Sequence, residues 1–477
     1  MPVTSQPASV VPPRPGRASG PVTDAPAAAR AVDGAGAGPS VAAPVTDAAG
    51  APVPVTDAAG APVPVTDAAG APAPGAAAEG MPGVRVRPAL LALAVGGFTI
   101  GTTEFATMGL LPQISRDLAV SIPAAGHVIT AYALGVVVGA PLLTVVAARV
   151  DRRVLLVALM TAYTVGNALS SLAGSIEWLV VARFLAGLPH GAFFGVGAAT
   201  GTAVVGQARR GQAVAMMMTG LTVANVVGVP VSTFVGQQLG WRAAFLVVAG
   251  LGVVTLVALR GWLPAVPTDP RANVRTELAA LRNRPLWIAF AAVSIGFGGM
   301  FAVYSYIAPL VTDVTGMPEA TVPIVLALFG LGMTVGTVVG GHMADRSVMR
   351  SVHVGFVGTA LSLVLVAVTG PHPVPAIVSL VGLGITSQIL GLALQTRLMD
   401  VSPAAPSLGA ALCHSALNVG NASGAFVGGA VIAAGHGLLA PAWVGVVLTL
   451  VGFGIILATG RRPGPPVPAP AAAAVAG

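Results

Sequence analysis

The sequence predicts an all-α polytopic membrane protein with twelve spans in two six-helix bundles, and three observations carry that reading. The 477 residues are 55% hydrophobic and only 8% charged, with a mean hydropathy of +0.87, whereas a soluble domain carries about a quarter charged residues. The apolar residues fall in runs of about twenty, the length at which a helix crosses the hydrocarbon core and satisfies its own backbone hydrogen bonds. The whole pattern of apolar runs and basic loops then occurs twice.

Taken in order, residues 1–80 stand apart. They are rich in Ala, Pro, Gly and Val and repeat a decapeptide, VAAPVTDAAG at 41–50 and APVPVTDAAG at 51–60 and 61–70. Frequent prolines block helices and large apolar side chains are few, so this segment is expected to be disordered and dispensable. No uninterrupted apolar stretch precedes Ala89, so no secretory signal is read there, and Met81 would serve as a start for an inner-membrane protein.

From Ala89 twelve spans follow, near 89–110, 124–147, 153–173, 178–204, 212–236, 241–262, 286–310, 320–342, 351–370, 373–396, 407–433 and 438–460. They define an N-terminal bundle over 81–263, a linker loop over 264–285, a C-terminal bundle over 286–460 and a disordered tail over 461–477. The linker, PAVPTDPRANVRTELAALRNRP, holds Arg271, Arg275, Arg282 and Arg284, and its TELAALRN stretch reads as a short surface helix.

The net charge of +7 comes entirely from arginines, since the chain has no lysine. These sit in short loops without interleaved aromatics, so they read as topology signals and exclude a nucleic-acid partner. Arg149, Arg152, Arg153, Arg209, Arg210, the linker arginines, Arg346, Arg350 and Arg397 follow the even-numbered spans, while the opposite loops offer Arg116 and Arg242. This asymmetry places the linker and both termini in the cytoplasm of a cell (plasma or inner) membrane. The lone cysteine, Cys413, permits no disulfide within the chain.

The halves echo each other at a spacing of about 194 residues, as expected of a parallel duplication with the transport site between its halves near the midplane. ARVDRR at 148–153 corresponds to MADRSV at 343–348, setting Asp151 and Arg152 against Asp345 and Arg346; Asn225 corresponds to Asn418, and Pro112 to Pro309.

Among candidate functional residues, Glu104 in GGFTIGTTEFATMGLL is the one acid well inside a span. A carboxylate there costs several kcal/mol unless it is protonated, paired or hydrated. It serves either packing or proton coupling. Arg183, in WLVVARFLAGLPHGAFFG, either snorkels from its span or faces the bundle and exchanges partners. His190 and His414 read as packing histidines, cavity-lining groups or proton relays. No metal site is read, because further ligands at suitable spacing are missing. Asn225, Asn418 and Asn421 are cavity candidates, with Tyr132, Tyr304, Tyr306, Phe193 and Phe194. These mostly neutral or aromatic groups favour a neutral or weakly cationic small molecule over a phosphorylated anion.

Small residues at four-residue spacing, in Gly135/Gly139, Gly187/Gly191/Gly195, Gly332/Gly336/Gly340 and Gly420/Gly424/Gly428, predict close helix approach. Gly220, Gly228 and Gly236 surround Pro230, which should kink the fifth span. There is no GxSxG, HExxH or phosphate-binding GxxxxGK motif. The chain therefore reads as neither an enzyme nor an ATP-driven pump, and it calls for no cofactor.

Together these residues resemble the major facilitator superfamily, in its twelve-helix drug:proton antiporter group. GTTEFATMGLLPQISRDLAVS and HGAFFGVGA resemble the arabinose-efflux-like and chloramphenicol-efflux-like permeases, and the similarity spans about 88–460. The family's G-x-L-A-D-R-x-G-R-R loop survives in part as AARVDRRVLL, where Ala147, Arg149 and Val154 replace Gly, Leu and Gly; the copy GHMADRSVMR is better kept. The resemblance implies a major facilitator fold, a conformational latch at Asp151 and Arg152 and by repeat at Asp345 and Arg346, and proton coupling at Arg183. GLTVANVVGVPVSTFVGQQLGWR is similar to the antiporter motif of the fifth span, but it reads Gly-Val-Pro for Gly-Pro and lacks the closing glycine pair. The expected function is proton-coupled export of a drug or sugar-like metabolite by a monomer, driven by the proton gradient. A sugar or nucleoside facilitator or importer, and a non-transporting receptor or scaffold, stay open as alternatives.

Overall fold

The computed structural model describes Met81 and residues 85–147, 150–266, 282–400 and 406–459. The repeat tail 1–80, Arg149, Arg271, Arg275, most of the TELAALRN segment and the tail 461–477 lie outside the described residues. Twelve helices among those described are long and apolar enough to cross a membrane. We label them α1 (Val86–Gly109), α2 (Ile122–Ala147), α3 (Arg152–Ser171), α4 (Ile176–Val205), α5 (Arg210–Leu239), α6 (Trp241–Trp262), α7 (Arg284–Tyr304), α8 (Val322–Arg346), α9 (Val348–Thr369), α10 (Pro373–Asp400), α11 (Pro406–Ala433) and α12 (Ala440–Thr459). Their outward faces are apolar, with Val257, Val368 and Val374 more than half exposed. Trp178, Trp262, Trp287 and Trp443 are exposed near span ends, where indole rings favour the interface between lipid and water.

The seventh span departs most from expectation. Instead of running to 310, α7 stops at Tyr304 and gives way to a short turn at Ile307–Pro309 and a π-helical turn at Leu310–Val314. Pro309 has no N–H for the carbonyl four residues earlier, and the helix breaks at that residue, Ser305. The first half does the same: α1 ends at Gly109, and Pro112 lies in the first turn of a short helix, Leu111–Asp117. The paired prolines thus mark one break made twice. In α5 the predicted kink takes the form of a π-helical turn over Ala224–Gly228 just ahead of Pro230, with the Val229 N–H reaching back to the Ala224 carbonyl. The wider turn absorbs the hydrogen bond that Pro230 cannot donate.

Each half is assembled by the same helix pairs through small residues. Gly135 and Gly139 of α2 lie against the carbonyls of Phe184 and Leu188 in α4, and Gly332 and Gly336 of α8 lie against those of Val381 and Ile385 in α10. Gly220 of α5 meets the Ala94 carbonyl of α1, while Gly424 of α11 meets the Gly298 carbonyl of α7. Gly228 lies over Thr102 and Gly236 over Leu110, so the glycines flanking Pro230 seat α5 on α1 and the turn after it.

The two halves meet on one side and part on the other. On the side away from the arginine loops, a single apolar cluster includes Phe105, Met108 and Leu111 of the first half with Phe301, Tyr304 and Leu326 of the second. Towards the arginine loops the cores are separate, one around Leu93, Phe193 and Val204, others around Val352 and Phe356 and around Leu286 and Leu398. Polar contacts follow the same division. Arg116 Nη2 lies 2.6 Å from Glu319 Oε1, Gln113 Nε2 donates to the same oxygen at 2.5 Å, and Gln237 Nε2 donates to the Glu319 carbonyl at 2.9 Å. In the same region Arg242 and, to a lesser degree, Trp241 donate to Asp117 and hold its carboxyl below the usual range.

Candidate functional site

Where the halves begin to part they enclose a cavity of about 160 Å³. From the first half it is lined by Glu104, Phe105, His190, Met218, Leu221, Thr222 and Asn225, and from the second by residues of α7, α8, α10 and α11. Glu104 is 9% exposed, on the cavity face of α1. The other acids with described side chains lie at helix ends or in loops, so this carboxylate is the one such acid at the cavity wall.

Behind it, polar groups connect α1, α2, α3 and α4. His190 Nε2 lies 4.0 Å from Glu104 Oε2, beyond hydrogen-bond length and within reach of an ion pair. Its other nitrogen, Nδ1, is 3.0 Å from the Tyr132 hydroxyl. If that hydroxyl donates, the imidazole proton sits on Nε2, the nitrogen that faces Glu104. The Arg183 guanidinium stacks over the Tyr132 ring, 4.1 Å from its centroid, with Phe245 at 5.2 Å. Such stacking suits a planar, weakly hydrated cation. Arg183 is 1% exposed and donates to Asn167 Oδ1 and to the Thr103 carbonyl, both at 3.4 Å. The snorkelling alternative therefore fails: this arginine is enclosed in the first bundle and holds the backbone one residue before Glu104.

The second half meets this array through His414. Its ring stacks on Phe194 at 5.1 Å and lies 6.1 Å from that of His190, so each half supplies one imidazole to the same point. Asn225 and Asn418 also line the cavity, and Asn225 does so from the π-helical turn of α5.

Six cavity expectations require correction, since Tyr132, Tyr304, Tyr306, Phe193, Phe194 and Asn421 are not among the lining residues. Tyr132 lies behind His190 and serves as its partner. Tyr304 stacks on Phe329 at 4.3 Å and edges against Phe105, on the closed side of the cavity. Asn421 is buried outside the cavity lining, one residue past Gly420, whose face packs on α7. Tyr306, also expected in the cavity, instead donates from its hydroxyl to the Ala425 carbonyl at 2.7 Å and fills a notch between Gly126 and Gly429 on the closed side.

Other lining residues were not anticipated: Met218, Met300, Met333, Phe297, Phe301, Gln388 and Gln395. The two glutamines carried a usable signal, because polar groups at i and i+7 in an apolar span fall on one face. The methionines carried none, since apolar residues suit a lipid face and a cavity wall equally.

The expected latch residues contact only their own halves. Asp151 caps α3, accepting from the N–H groups of Arg153 and Val154 at 2.9 and 3.0 Å, and Arg152 donates to the Ala199 carbonyl at 3.1 Å. In the second half Ser347 replaces the aspartate as cap, accepting from the Arg350 N–H; Asp345 and Arg346 end α8.

The sequence matches the Major Facilitator Superfamily over residues 93–405 and 299–476. It is 42% identical to the inner membrane transport protein YdhP of Escherichia coli over 74% of this chain and 91% of that one. It is 33% identical to the putative transporter AraJ of Escherichia coli, covering 79% and 96% of the two chains. The chloramphenicol resistance protein of Streptomyces lividans is 35% identical, over 76% and 93%. In structure the chain resembles a bacterial homologue of the human lysosomal transporter Spinster, with a TM-score of 0.62 at 17% identity over 80% of this chain and 99% of that one. It also resembles the nucleoside transporter NupG, with a TM-score of 0.61 at 13% identity over 78% and 100%. With twelve spans, two bundles and a cavity between them, the chain belongs to the Major Facilitator Superfamily and is a multi-pass membrane transporter of small molecules, not an enzyme.

Proposed function

We propose that this transporter is a proton-coupled exporter of small organic molecules, working by alternating access, with its arginine loops and both termini in the cytoplasm. The observation that carries the reading is the single carboxylate at the cavity wall, Glu104, facing His190 and backed by the enclosed Arg183. A buried carboxylate favours its neutral form, whereas a wetted or substrate-filled cavity allows the charged one. Proton and substrate then occupy the site in turn. With the arginine loops in the cytoplasm, a shared core on the far side and separate cores towards those loops fit a carrier open to the cytoplasm, the state in which an exporter loads. In the opposite state Asp151 and Arg152, with Asp345 and Arg346, act as the cytoplasmic latch. The relative named for chloramphenicol resistance supports export of a drug-like molecule. The test is inside-out vesicles carrying a pH-sensitive dye and a preformed gradient. Chloramphenicol or another exported compound should discharge the gradient in vesicles holding this protein and leave control vesicles unaffected. Compounds that cross without moving protons would favour a facilitator.

Orientation is tested separately. On a Cys413→Ala background, Ala208→Cys and His436→Cys place thiols in exposed loops on opposite sides. A membrane-impermeant thiol reagent should label His436→Cys in intact cells and Ala208→Cys only in inverted vesicles; the reverse pattern would invert the topology.

The far-side closure has its own test. Glu319→Ala removes the acceptor shared by Arg116 and Gln113. Exposed ion pairs are worth about 0.2–1 kcal/mol, so the variant should shift the carrier towards the externally open state by a few-fold. The readout is faster external labelling of a thiol placed at Thr130 in the Cys413→Ala background. Unchanged labelling would remove Glu319 from the closure.

A further inference from the structure

Two lining side chains, Gln388 and Gln395 of α10, are half-buried, and neither carboxamide hydrogen-bonds to a described residue. Seven residues apart, they stand on one face of the helix, about 10 Å from each other along its axis. Their backbone is firmly held. A Cβ on Gly336 of α8 would stand 2.9 Å from the Gln388 Cβ, so α8 touches α10 at the stem of that glutamine. Between the glutamines, Gly391 lets the Phe297 ring lie against α10, with its Cε2 3.0 Å from where a Cβ would be. The cavity face of α10 thus presents an amide, an aromatic plate and a second amide.

The duplication shows that packing does not require these amides. Gly135 and Gly139 face Phe184 and Leu188 as Gly332 and Gly336 face Val381 and Ile385, a spacing of 197 residues that Pro112 and Pro309 share. At that spacing Gln388 and Gln395 correspond to Gly191 and Ala198 of α4. The first half therefore builds the same helix pair with no polar side chain at either place. Conversely, Glu104 corresponds to Phe301 and Arg183 to Leu380. The carboxylate and the guanidinium belong to one half, the paired carboxamides to the other.

We propose that Gln388 and Gln395 form the substrate-reading wall of the cavity, selecting uncharged aryl compounds whose polar chain carries hydroxyl or amide groups. This deepens the exporter reading and rests on it for the site's role. A carboxamide donates and accepts at once, so each glutamine pairs with a hydroxyl or an amide and has no need of a charge. The ring of such a ligand lies on Phe297, and Met300 and Met333 adjust to its shape. Its polar chain reaches one carboxamide or, when long enough, both. A bare arene displaces water from the glutamines and replaces none of its hydrogen bonds, which is how a polar site rejects an apolar analogue.

The test is equilibrium binding to the purified full chain in detergent, with no proton gradient. The probes are chloramphenicol and phenyl glucoside, each beside a ring-only counterpart, nitrobenzene and anisole. Tetraphenylphosphonium serves as a cation without hydrogen-bonding groups. Each polar probe should bind about tenfold more tightly than its counterpart, or better. Gln388→Met and Gln395→Met keep the length and volume of the side chain and remove its hydrogen bonds. Each should cut that advantage several-fold and leave tetraphenylphosphonium binding unchanged, whereas Gln388→Asn and Gln395→Asn, which keep the amide, should retain part of it. Thermal melts of the unliganded variants control for folding. Polar probes that bind no better than their ring-only counterparts, or methionine variants that keep the full advantage, would overturn the proposal. Intact recognition alongside absent gradient-driven efflux would uphold the wall and fault the exporter reading instead.

Discussion

Glu104→Gln is expected to fold, to bind substrate and to lose efflux driven by a pH gradient, falling to the rate seen without one. Glutamine keeps the shape and a neutral, hydrogen-bonding head, so it stands in for the protonated acid. The change removes only the ability to exchange a proton with water. Four atoms frame the consequence: Glu104 Oε2 faces His190 Nε2 at 4.0 Å, and His190 Nδ1 meets the Tyr132 hydroxyl at 3.0 Å. A proton leaving Glu104 creates an anion beside this imidazole and near Arg183, which donates to the adjoining Thr103 carbonyl. The imidazole and the guanidinium are the two groups placed to answer that charge. Glu104→Asp keeps the chemistry and shortens the reach, so it should retain part of the coupled rate. The measurement is substrate efflux from proteoliposomes with and without an imposed gradient, beside a thermal melt. Native-like, gradient-driven efflux by the glutamine variant would move coupling to His190 or His414.

Much of the fold was legible because a membrane imposes few solutions. Runs of apolar residues long enough to span must be helices, and twelve emerged at nearly the expected places. The main discrepancy, the break after Tyr304, lay in an apolar stretch where only Pro309 signalled it; hydropathy is blind to a missing N–H. The site was legible where polarity contradicts its surroundings. Glu104, His190, Asn225, His414 and Asn418 each stand out in an apolar span, and the structure gathers all five at one cavity. Tyr132, Tyr304 and Asn421 stand out as much and lie elsewhere, because helix rotation decides which way a residue points and a single sequence does not encode it directly. Arg183 shows the same limit: snorkelling and burial share one sequence, and the choice follows from Tyr132, Phe245 and Asn167, supplied by three other helices.

Gly139→Ala should abolish or severely reduce the folded protein, although it adds one methyl group to a helix that alanine otherwise favours. A Cβ at Gly139 would stand 1.9 Å from the Leu188 carbonyl oxygen and 2.6 Å from the Leu188 carbonyl carbon. These are backbone atoms of α4, so no side chain can rotate away and the helices must separate. Overpacking typically costs about 1–3 kcal/mol and occasionally more, and a rigid backbone neighbour puts this site at the upper end. Gly220→Ala meets the same obstacle at the Ala94 carbonyl, also at 1.9 Å, and should act alike on α1 and α5. Gly195→Ala is the control. It continues the four-residue series from Gly187 and Gly191, yet nothing lies within 4 Å of its would-be Cβ, so the alanine should be neutral or mildly stabilising through helix propensity. Gly330→Ala asks a different question, because its Cβ would lie 2.3 Å from the Asn225 carbonyl across the junction between halves. That variant should leave each bundle packed and disfavour the conformation in which α5 and α8 touch, so its melt should change less than that of Gly139→Ala while transport falls. Detergent melts and yields of monodisperse protein for the four variants, with efflux for those that fold, separate the cases. A Gly139→Ala protein as stable as Gly195→Ala would show that α2 and α4 do not pack this closely.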